Sequence, residues 1–224
     1  MPLIHSLKRI AAGLPASWQQ ELKRAYFARQ IRAGTFATDE IESEMMKDWL
    51  RPGDWAIDVG ANIGHYTRRM SELVGPQGRV FAFEPMSATF DLLSSNAARF
   101  KYGNVTLLNL AASDAPRVVS MEMPNFDTGA ANYYQAHITE QGTGTSVMAV
   151  QIDSLALPHP VRVVKIDAEG HEQPVLAGMA QLIQRDRPLI VLEFTSDGPA
   201  AYLEALGYQR SYIQGSSNLI MKPA

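Results

Sequence analysis

Five short runs of mainly apolar residues punctuate the chain, at 55–60, 79–84, 105–111, 161–167 and 188–194. Polar residues barely alternate within them. Each run therefore predicts a strand covered on both faces, the mark of a parallel sheet. Between the runs, apolar positions recur at helical spacing and predict helices over 65–74, 87–100, 171–185 and 199–206. Two further runs, Val118–Met123 and Ser146–Asp153, flank a Gly/Thr/Asn-rich stretch and predict an inserted antiparallel ribbon. The last two, Tyr208–Gln214 and Asn218–Lys222, are separated by Gly215-Ser216-Ser217, a hairpin signal at a sheet edge.

Residues 1–50 lack strand-like runs and read as helical, with Trp18, Leu22, Ala25, Tyr26 and Ile31 near helical spacing. Gly34-Thr35 breaks the pattern, Glu40 to Leu50 resumes it, and Arg51-Pro52-Gly53-Asp54 is a turn. The expected organisation is an N-terminal helical cap, 1–50, and an α/β domain, 51–224, with a β-ribbon or lid insertion at 117–153.

Bulk properties narrow this picture. A chain of 224 residues suffices for one well-cored α/β domain with a short extension. A net charge of −3 provides no global attraction for nucleic acid. Cysteine is absent, which excludes disulfides, thiolate-ligated zinc and a cysteine nucleophile. No run is long and apolar enough to span a bilayer. Met1–Leu14 carries Lys8 and Arg9 inside its apolar stretch, which makes a poor signal peptide. The expected location is the cytoplasm, with contact between a basic amphipathic N-terminus and a membrane surface as the alternative.

Candidate chemistry concentrates at strand ends. Asp58-Val59-Gly60-Ala61-Asn62-Ile63-Gly64 ends the first run and turns into a helix. Nucleotide-like cofactors are held at such turns. The dinucleotide fingerprint G-x-G-x-x-G fails here, because Asn62 and His65 stand where its second and third glycines belong. The D-x-G-x-x-x-G spacing suits a methyl donor, which has no pyrophosphate and needs space beside Gly60 for its aminoacyl arm. Glu84 ends the second run and can accept from both hydroxyls of a ribose. In Leu110-Ala111-Ala112-Ser113-Asp114 the third run ends in small residues and a carboxylate. Backbone amides there can read an adenine edge, and Asp114 can accept from its exocyclic amine.

A second dense site follows the fourth run, where Asp167, Glu169, His171 and Glu172 fall within six positions. Open α/β sheets place ligands at such strand ends. Asp167 is expected to point at the reactive end of the cofactor, and Glu169 and His171 are the candidates for a base. Glu172 has the competing role of favouring the positive N-terminus of the next helix. His65 is a further candidate for the pocket, against the commoner structural role. Glu193 ends the fifth run beside Asp167, so the two are placed to share a divalent cation. Two acidic strand ends are thin support, and no metal ligand is assigned. Asn132-Tyr133-Tyr134, in the insertion, is a candidate lid over a sugar-like acceptor.

Together these motifs, with Phe83-Glu84-Pro85, Ala112-Ser113-Asp114 and Lys165-Ile166-Asp167-Ala168-Glu169-Gly170-His171-Glu172, resemble the signatures of FkbM-type methyltransferases in order and spacing. The resemblance covers roughly residues 50 to 195. It implies an α/β, Rossmann-like class I methyltransferase fold. That fold is a mostly parallel seven-stranded sheet with a C-terminal antiparallel hairpin and helices on both faces. It implies S-adenosylmethionine as cofactor and S-adenosylhomocysteine as product. It carries cofactor roles to Asp58, Gly60, Glu84, Ser113 and Asp167. The expected activity is O-methylation of a hydroxyl on a sugar, glycan or polyketide-like small molecule. The rival readings are a nicotinamide-dependent oxidoreductase, which the failed fingerprint disfavours, and a non-catalytic cofactor-binding module. A nucleic-acid methyltransferase ranks below these. The chain is acidic and lacks an Asn/Asp-Pro-Pro-Tyr/Phe element to hold a flipped base.

Overall fold

In a computed structural model the described residues are 15–122, 137–139 and 144–224. The Met1–Leu14 segment and Asn132-Tyr133-Tyr134 lie outside them. Two helices, α1 (Ala16–Ala33) and α2 (Ile41–Trp49), precede β1 (Trp55–Val59), α3 (His65–Val74), β2 (Arg79–Phe83), α4 (Ser87–Ala97) and β3 (Val105–Leu108). Short strands β4 (Ala111–Ala112), β5 (Arg117–Glu122), β6 (His137–Thr139) and β7 (Thr145–Val150) follow. The chain then runs through β8 (Val161–Ile166), α5 (Glu172–Ala177), α6 (Ala180–Asp186), β9 (Leu189–Glu193), α7 (Asp197–Ala205), β10 (Tyr208–Tyr212) and β11 (Asn218–Pro223).

The central sheet has seven strands in the order β10-β11-β9-β8-β1-β2-β3. Strands β3, β2, β1, β8 and β9 are parallel, and β11 pairs antiparallel with both β9 and β10. This is the predicted sheet, closed by the predicted hairpin. Val59 lies opposite both Phe83 and Ile166, so β1, β2 and β8 end level with one another. The order in which strands are added reverses between β1 and β8, with β2 and β3 on one side and β9 on the other. A doubly wound sheet opens its ligand crevice at that switch point.

The strand period of two divides the core. Ile57, Val59, Val164, Ile166, Ile190 and Leu192 face the layer of α5, α6 and α7, where Leu176, Ile183 and Leu203 are fully buried. Ala56, Val80, Val163 and Val191 face α2 and α3 through Met46, Met70 and Val74. Both faces are covered by helices, and so the strands read as mainly apolar runs.

Three details differ from the sequence reading, each set by contacts between distant segments. The third run stops pairing at Leu108, because the Asn109 side chain donates to the carbonyls of Glu84 and Pro85 and turns the chain. Its end, β4, joins a second sheet of order β4-β7-β5-β6, in which β5 and β7 are antiparallel. The stretch 171–185 is two helices rather than one. They break at Gly178, where an added Cβ would lie 1.9 Å from the carbonyl oxygen of Ser113. Finally, the apolar stripe of α1 does not face the core. Trp18, Leu22 and Tyr26 are exposed, while Phe27 and Ile31 pack on Phe36, Leu92 and Phe100. Polar anchors orient the helix: Gln20 donates to the carbonyl of Ala88, and Arg24 pairs with Asp91 of α4.

Candidate functional site

At the level ends of β1, β2 and β8 lies a cleft with about 680 Å³ of open space. Gly60, Asn62 and Glu84 form one side, Asp167, Glu169 and His171 another, and Leu110, Ala112 and Met121 supply apolar wall. Seven of the residues singled out from sequence therefore share one cavity: Gly60, Asn62, Glu84, Ala112, Asp167, Glu169 and His171. The others stand behind it.

Gly60 adopts φ +74°, and a Cβ there would meet the Asp167 carbonyl oxygen at 1.9 Å. Its missing side chain admits the neighbouring strand, whose Asp167 amide donates to the carbonyl of Val59. The glycine thus permits the close approach of β1 and β8, and it also lines the cleft. Gly64 is packed against Leu93 at the start of α3, away from the cleft.

Glu84 is held at the floor by backbone donors. One carboxylate oxygen accepts the Asn62 N–H and the other the Met86 N–H, each at 2.9 Å. Burial nevertheless dominates and pushes its carboxyl up to about 7, against the pull of those two amides. Each oxygen retains acceptor capacity beyond the one amide.

Asp58 is fully buried, outside the cleft lining. Its Oδ2 accepts from the Thr67 hydroxyl at 2.6 Å, and its Oδ1 has no hydrogen-bond partner among the described residues. Desolvation raises its carboxyl, and Lys165 opposes that shift. Lys165 is itself buried, with Nζ 2.8 Å from Asp167 and 4.8 Å above the Tyr66 ring. Burial alone would lower the ammonium, but Asp167 and Asp58 outweigh it and the net shift is upward. Sequence reasoning assigned Lys165 no role. The signal was present, since a lysine inside Val163-Val164-Lys165-Ile166 cannot be buried without a partner.

Ser113 and Asp114 lie behind the cleft wall. The Ser113 amide is taken by the carbonyl of Val150, and the Asp114 carboxylate is ion-paired with Arg117 at 2.6 Å. Hydrogen bonding from Arg117, then from Ser113, holds the Asp114 carboxyl below the usual range. Ser113 Oγ lies 2.9 Å from Nε2 of His171. Desolvation, reinforced by Arg117, lowers the His171 pKa, so its imidazole is neutral at pH 7. Arg117 was not singled out from sequence, where only its three-residue spacing from Asp114 hinted at a pair.

Glu172 accepts from the Gly170 amide and the Thr195 hydroxyl, a local structural role. His65 packs on Phe36 with ring centroids 4.3 Å apart and is outside the cleft lining. Glu169 adopts φ +48°, a left-handed conformation that costs a residue other than glycine about 1–3 kcal/mol and recurs at functional sites.

Oxygen atoms of Asp167, Glu169 and Glu193 all lie within 4.8 Å of one another. Burial, reinforced by Asp167 and Glu169, raises the Glu193 carboxyl to about 8. The folded protein thus holds a proton there that the unfolded chain releases near the ordinary glutamate range. Glu193 adds stability at low pH, and that contribution is lost as pH rises through about 8. Glu193→Gln is expected to raise the thermal midpoint above wild type at pH 8.5, with the gain shrinking at pH 5. Equal gains at both values would contradict the assignment.

A family model described as the methyltransferase FkbM domain matches residues 58–212. The chain belongs to the FkbM methyltransferase family. Among curated relatives, the hexuronic acid methyltransferase AglP of Haloferax volcanii is 35% identical over 136 residues, covering 60% of this chain and 53% of that protein. A protein-L-isoaspartate O-methyltransferase of Methanothrix thermoacetophila is 34% identical over 59 residues, 26% of this chain and 28% of that protein. The chain thus spans about half the length, or less, of these curated relatives. The solved structure of methyltransferase FkbM from Methylobacillus flagellatus superposes with TM-score 0.55 at 14% identity, covering 91% of this chain and 59% of that one. Precorrin-6y C5,15-methyltransferase from Geobacter metallireducens gives TM-score 0.50 at 15% identity, covering 82% and 87%. At these identities the likeness concerns the fold, which is the class I methyltransferase fold in this FkbM member.

Proposed function

We propose that this FkbM member is an S-adenosylmethionine-dependent methyltransferase that methylates a hydroxyl of a sugar, glycan or polyketide-like small molecule. The observation that carries this reading is the cleft itself. An amide-held carboxylate, Glu84, occupies one side, and the acidic turn with His171 occupies another. The residues fit the cofactor. Glu84 retains lone pairs for two ribose hydroxyls, and Leu110, Ala112 and Met121 offer apolar surface to an adenine face. Ser113 and Asp114 support that wall from behind, and Asp58 and Gly64 support the turn.

S-adenosylmethionine supplies an electrophilic methyl group on a sulfonium. The chain's own work is to hold an acceptor oxygen in line and to take its proton. His171, neutral at pH 7, and Glu169 line the cleft and are the candidate bases. Asp167, fixed by Lys165, holds charge at the same edge. Residues 1–50 are read as the cap and 51–224 as the methyltransferase domain, with the N-terminal region and segment 124–145 contributing to acceptor choice. The AglP likeness supports a sugar acceptor.

The test is transfer of a labelled methyl group from S-adenosylmethionine to a panel of sugars, hexuronic acids and polyketides, with the new bond assigned by NMR. A methyl ether on one acceptor supports the reading, and an N-methyl product or no transfer opposes it. On that acceptor, replacing whichever of Glu169 or His171 is the base lowers turnover by about 10²-fold or more while sparing donor affinity. Full activity in both Glu169→Gln and His171→Ala would place the base elsewhere.

The Glu84 carboxyl near 7 makes donor binding pH-dependent. The ionised form accepts from the ribose, so affinity rises with pH and levels off above the folded pKa. Calorimetry is expected to find binding about tenfold weaker at pH 6 than at pH 8. Glu84→Gln should bind weakly at both, and a wild-type affinity independent of pH would remove the ribose assignment.

A further inference from the structure

Hydrogen-bond donors and acceptors around Ser113 leave one consistent arrangement. Its hydroxyl has one proton and two lone pairs. Three groups reach Oγ: Asp114 Oδ1 at 3.0 Å, Arg117 Nη2 at 3.1 Å and His171 Nε2 at 2.9 Å. The guanidinium can only donate. The Asp114 carboxylate, ion-paired with Arg117, can only accept. The serine proton therefore goes to Asp114, and one lone pair takes the Arg117 N–H. The remaining lone pair faces Nε2, which must carry a hydrogen. Were the serine proton turned to His171 instead, Ser113 Oγ and Asp114 Oδ1 would face each other at 3.0 Å with no hydrogen between them.

We propose that Ser113 and Arg117 are positioning residues that lock His171 in the Nε2–H tautomer, so that Nδ1 is its basic atom. The inference rests on the reading of His171 as a cleft base. In the reaction, the acceptor O–H bond breaks, its proton passes to Nδ1, and the oxygen electron pair forms the bond to the methyl carbon as the methyl–sulfur bond breaks. The imidazolium that forms keeps its Nε2–H bond to Ser113 unchanged, so nothing in the network has to reorganise during the step.

The arrangement also ties the base to the second sheet. Arg117 opens β5, Ser113 and Asp114 follow β4, and His171 precedes α5. The charged groups that bear on His171 are Arg117 of β5, Asp114 of the β4–β5 turn and Glu172 of α5. Asp167 and Glu169 share its turn and its cleft. Arg117 is the cation of this set. Its removal should make the imidazole easier to protonate.

The experiment is NMR of the full chain with ¹⁵N-labelled histidine. The chain has five histidines, and the His171 signals are those missing from His171→Gln. Two-bond proton–nitrogen correlations distinguish the tautomers without substrate or turnover, so the result is independent of whether the chain proves to be a methyltransferase. The expected spectrum shows His171 as Nε2–H. Ser113→Ala, folded by circular dichroism, should show both tautomers. Arg117→Met should shift the His171 titration midpoint upward, carrying the acid limb of the kcat profile with it, and Arg117→Lys should return it towards wild type. An Nδ1–H form in wild type overturns the proposal. So does an unchanged tautomer in Ser113→Ala. An unchanged midpoint in Arg117→Met removes Arg117 from the device.

Discussion

Lys165→Met is expected to destabilise the protein by about 3–5 kcal/mol, because removing a buried cation leaves a buried carboxylate uncompensated. The ion-pair partner of Lys165 is Asp167, and the group left buried without an opposing charge is Asp58. It is fully buried, bonded only through Oδ2 to Thr67, and opposed in its desolvation chiefly by Lys165. Methionine matches the length of the stem and isolates the loss of charge. The sign of the pH dependence follows from Asp58. Its folded carboxyl is already raised, and losing Lys165 raises it further. A raised carboxyl contributes stability at low pH that is lost as pH rises. The deficit should therefore be smaller at pH 5 than at pH 8 in urea titrations. A variant within about 1 kcal/mol of wild type at pH 8 would show that the Lys165 charge is dispensable to the fold. The same substitution frees Asp167 at the cleft edge, so any folded fraction should also be catalytically impaired.

Gly60→Ala should be nearly as damaging, for a steric reason. The Cβ would be placed 1.9 Å from the Asp167 carbonyl oxygen, an atom of the backbone that cannot rotate aside. Relief requires β1 and β8 to separate at the very point where the cleft opens. Left-handed strain adds about 1–3 kcal/mol. Gly170→Ala is the control. Its φ is +89°, yet nothing lies within 4 Å of the added atom. It should cost about 1–2 kcal/mol of strain alone. Soluble expression and urea midpoints measure both, and equal losses would mean that strain rather than the Asp167 contact sets the requirement at position 60.

Much of this fold is readable from the chain because its physics is local. Strands covered on both faces leave mainly apolar runs such as Trp55–Val59 and Leu189–Glu193, and a two-stranded edge leaves the Gly215-Ser216-Ser217 turn between Tyr208–Tyr212 and Asn218–Pro223. Parallel strands also make the cleft legible. Residues that end separate runs, Gly60, Glu84 and Asp167, are brought level by register alone. Contacts between distant segments are what the pattern conceals. At the split between α5 and α6, Gly178 packs on a carbonyl at Ser113 far upstream, and the Asp153 carboxylate accepts from the Gln181 and Leu182 amides of α6. The outward turn of Trp18, Leu22 and Tyr26 depends on where Asp91 and Ala88 anchor α1. The burial of Asp58 beneath the site, and the assembly of Ser113, Asp114, Arg117 and His171 from two sheets, are likewise invisible in one dimension. Spacing finds the residues at the cleft, and tertiary structure divides those that line it from those that brace it.

The central claim is that the cleft between Glu84 and the 167–171 turn binds an adenosyl methyl donor. Calorimetric titration of the full chain with S-adenosylmethionine, S-adenosylhomocysteine and NAD in parallel tests it most directly. The account predicts saturable binding of both adenosyl ligands and none of NAD. Binding of NAD alone would contradict it and make the acidic turn part of a redox site.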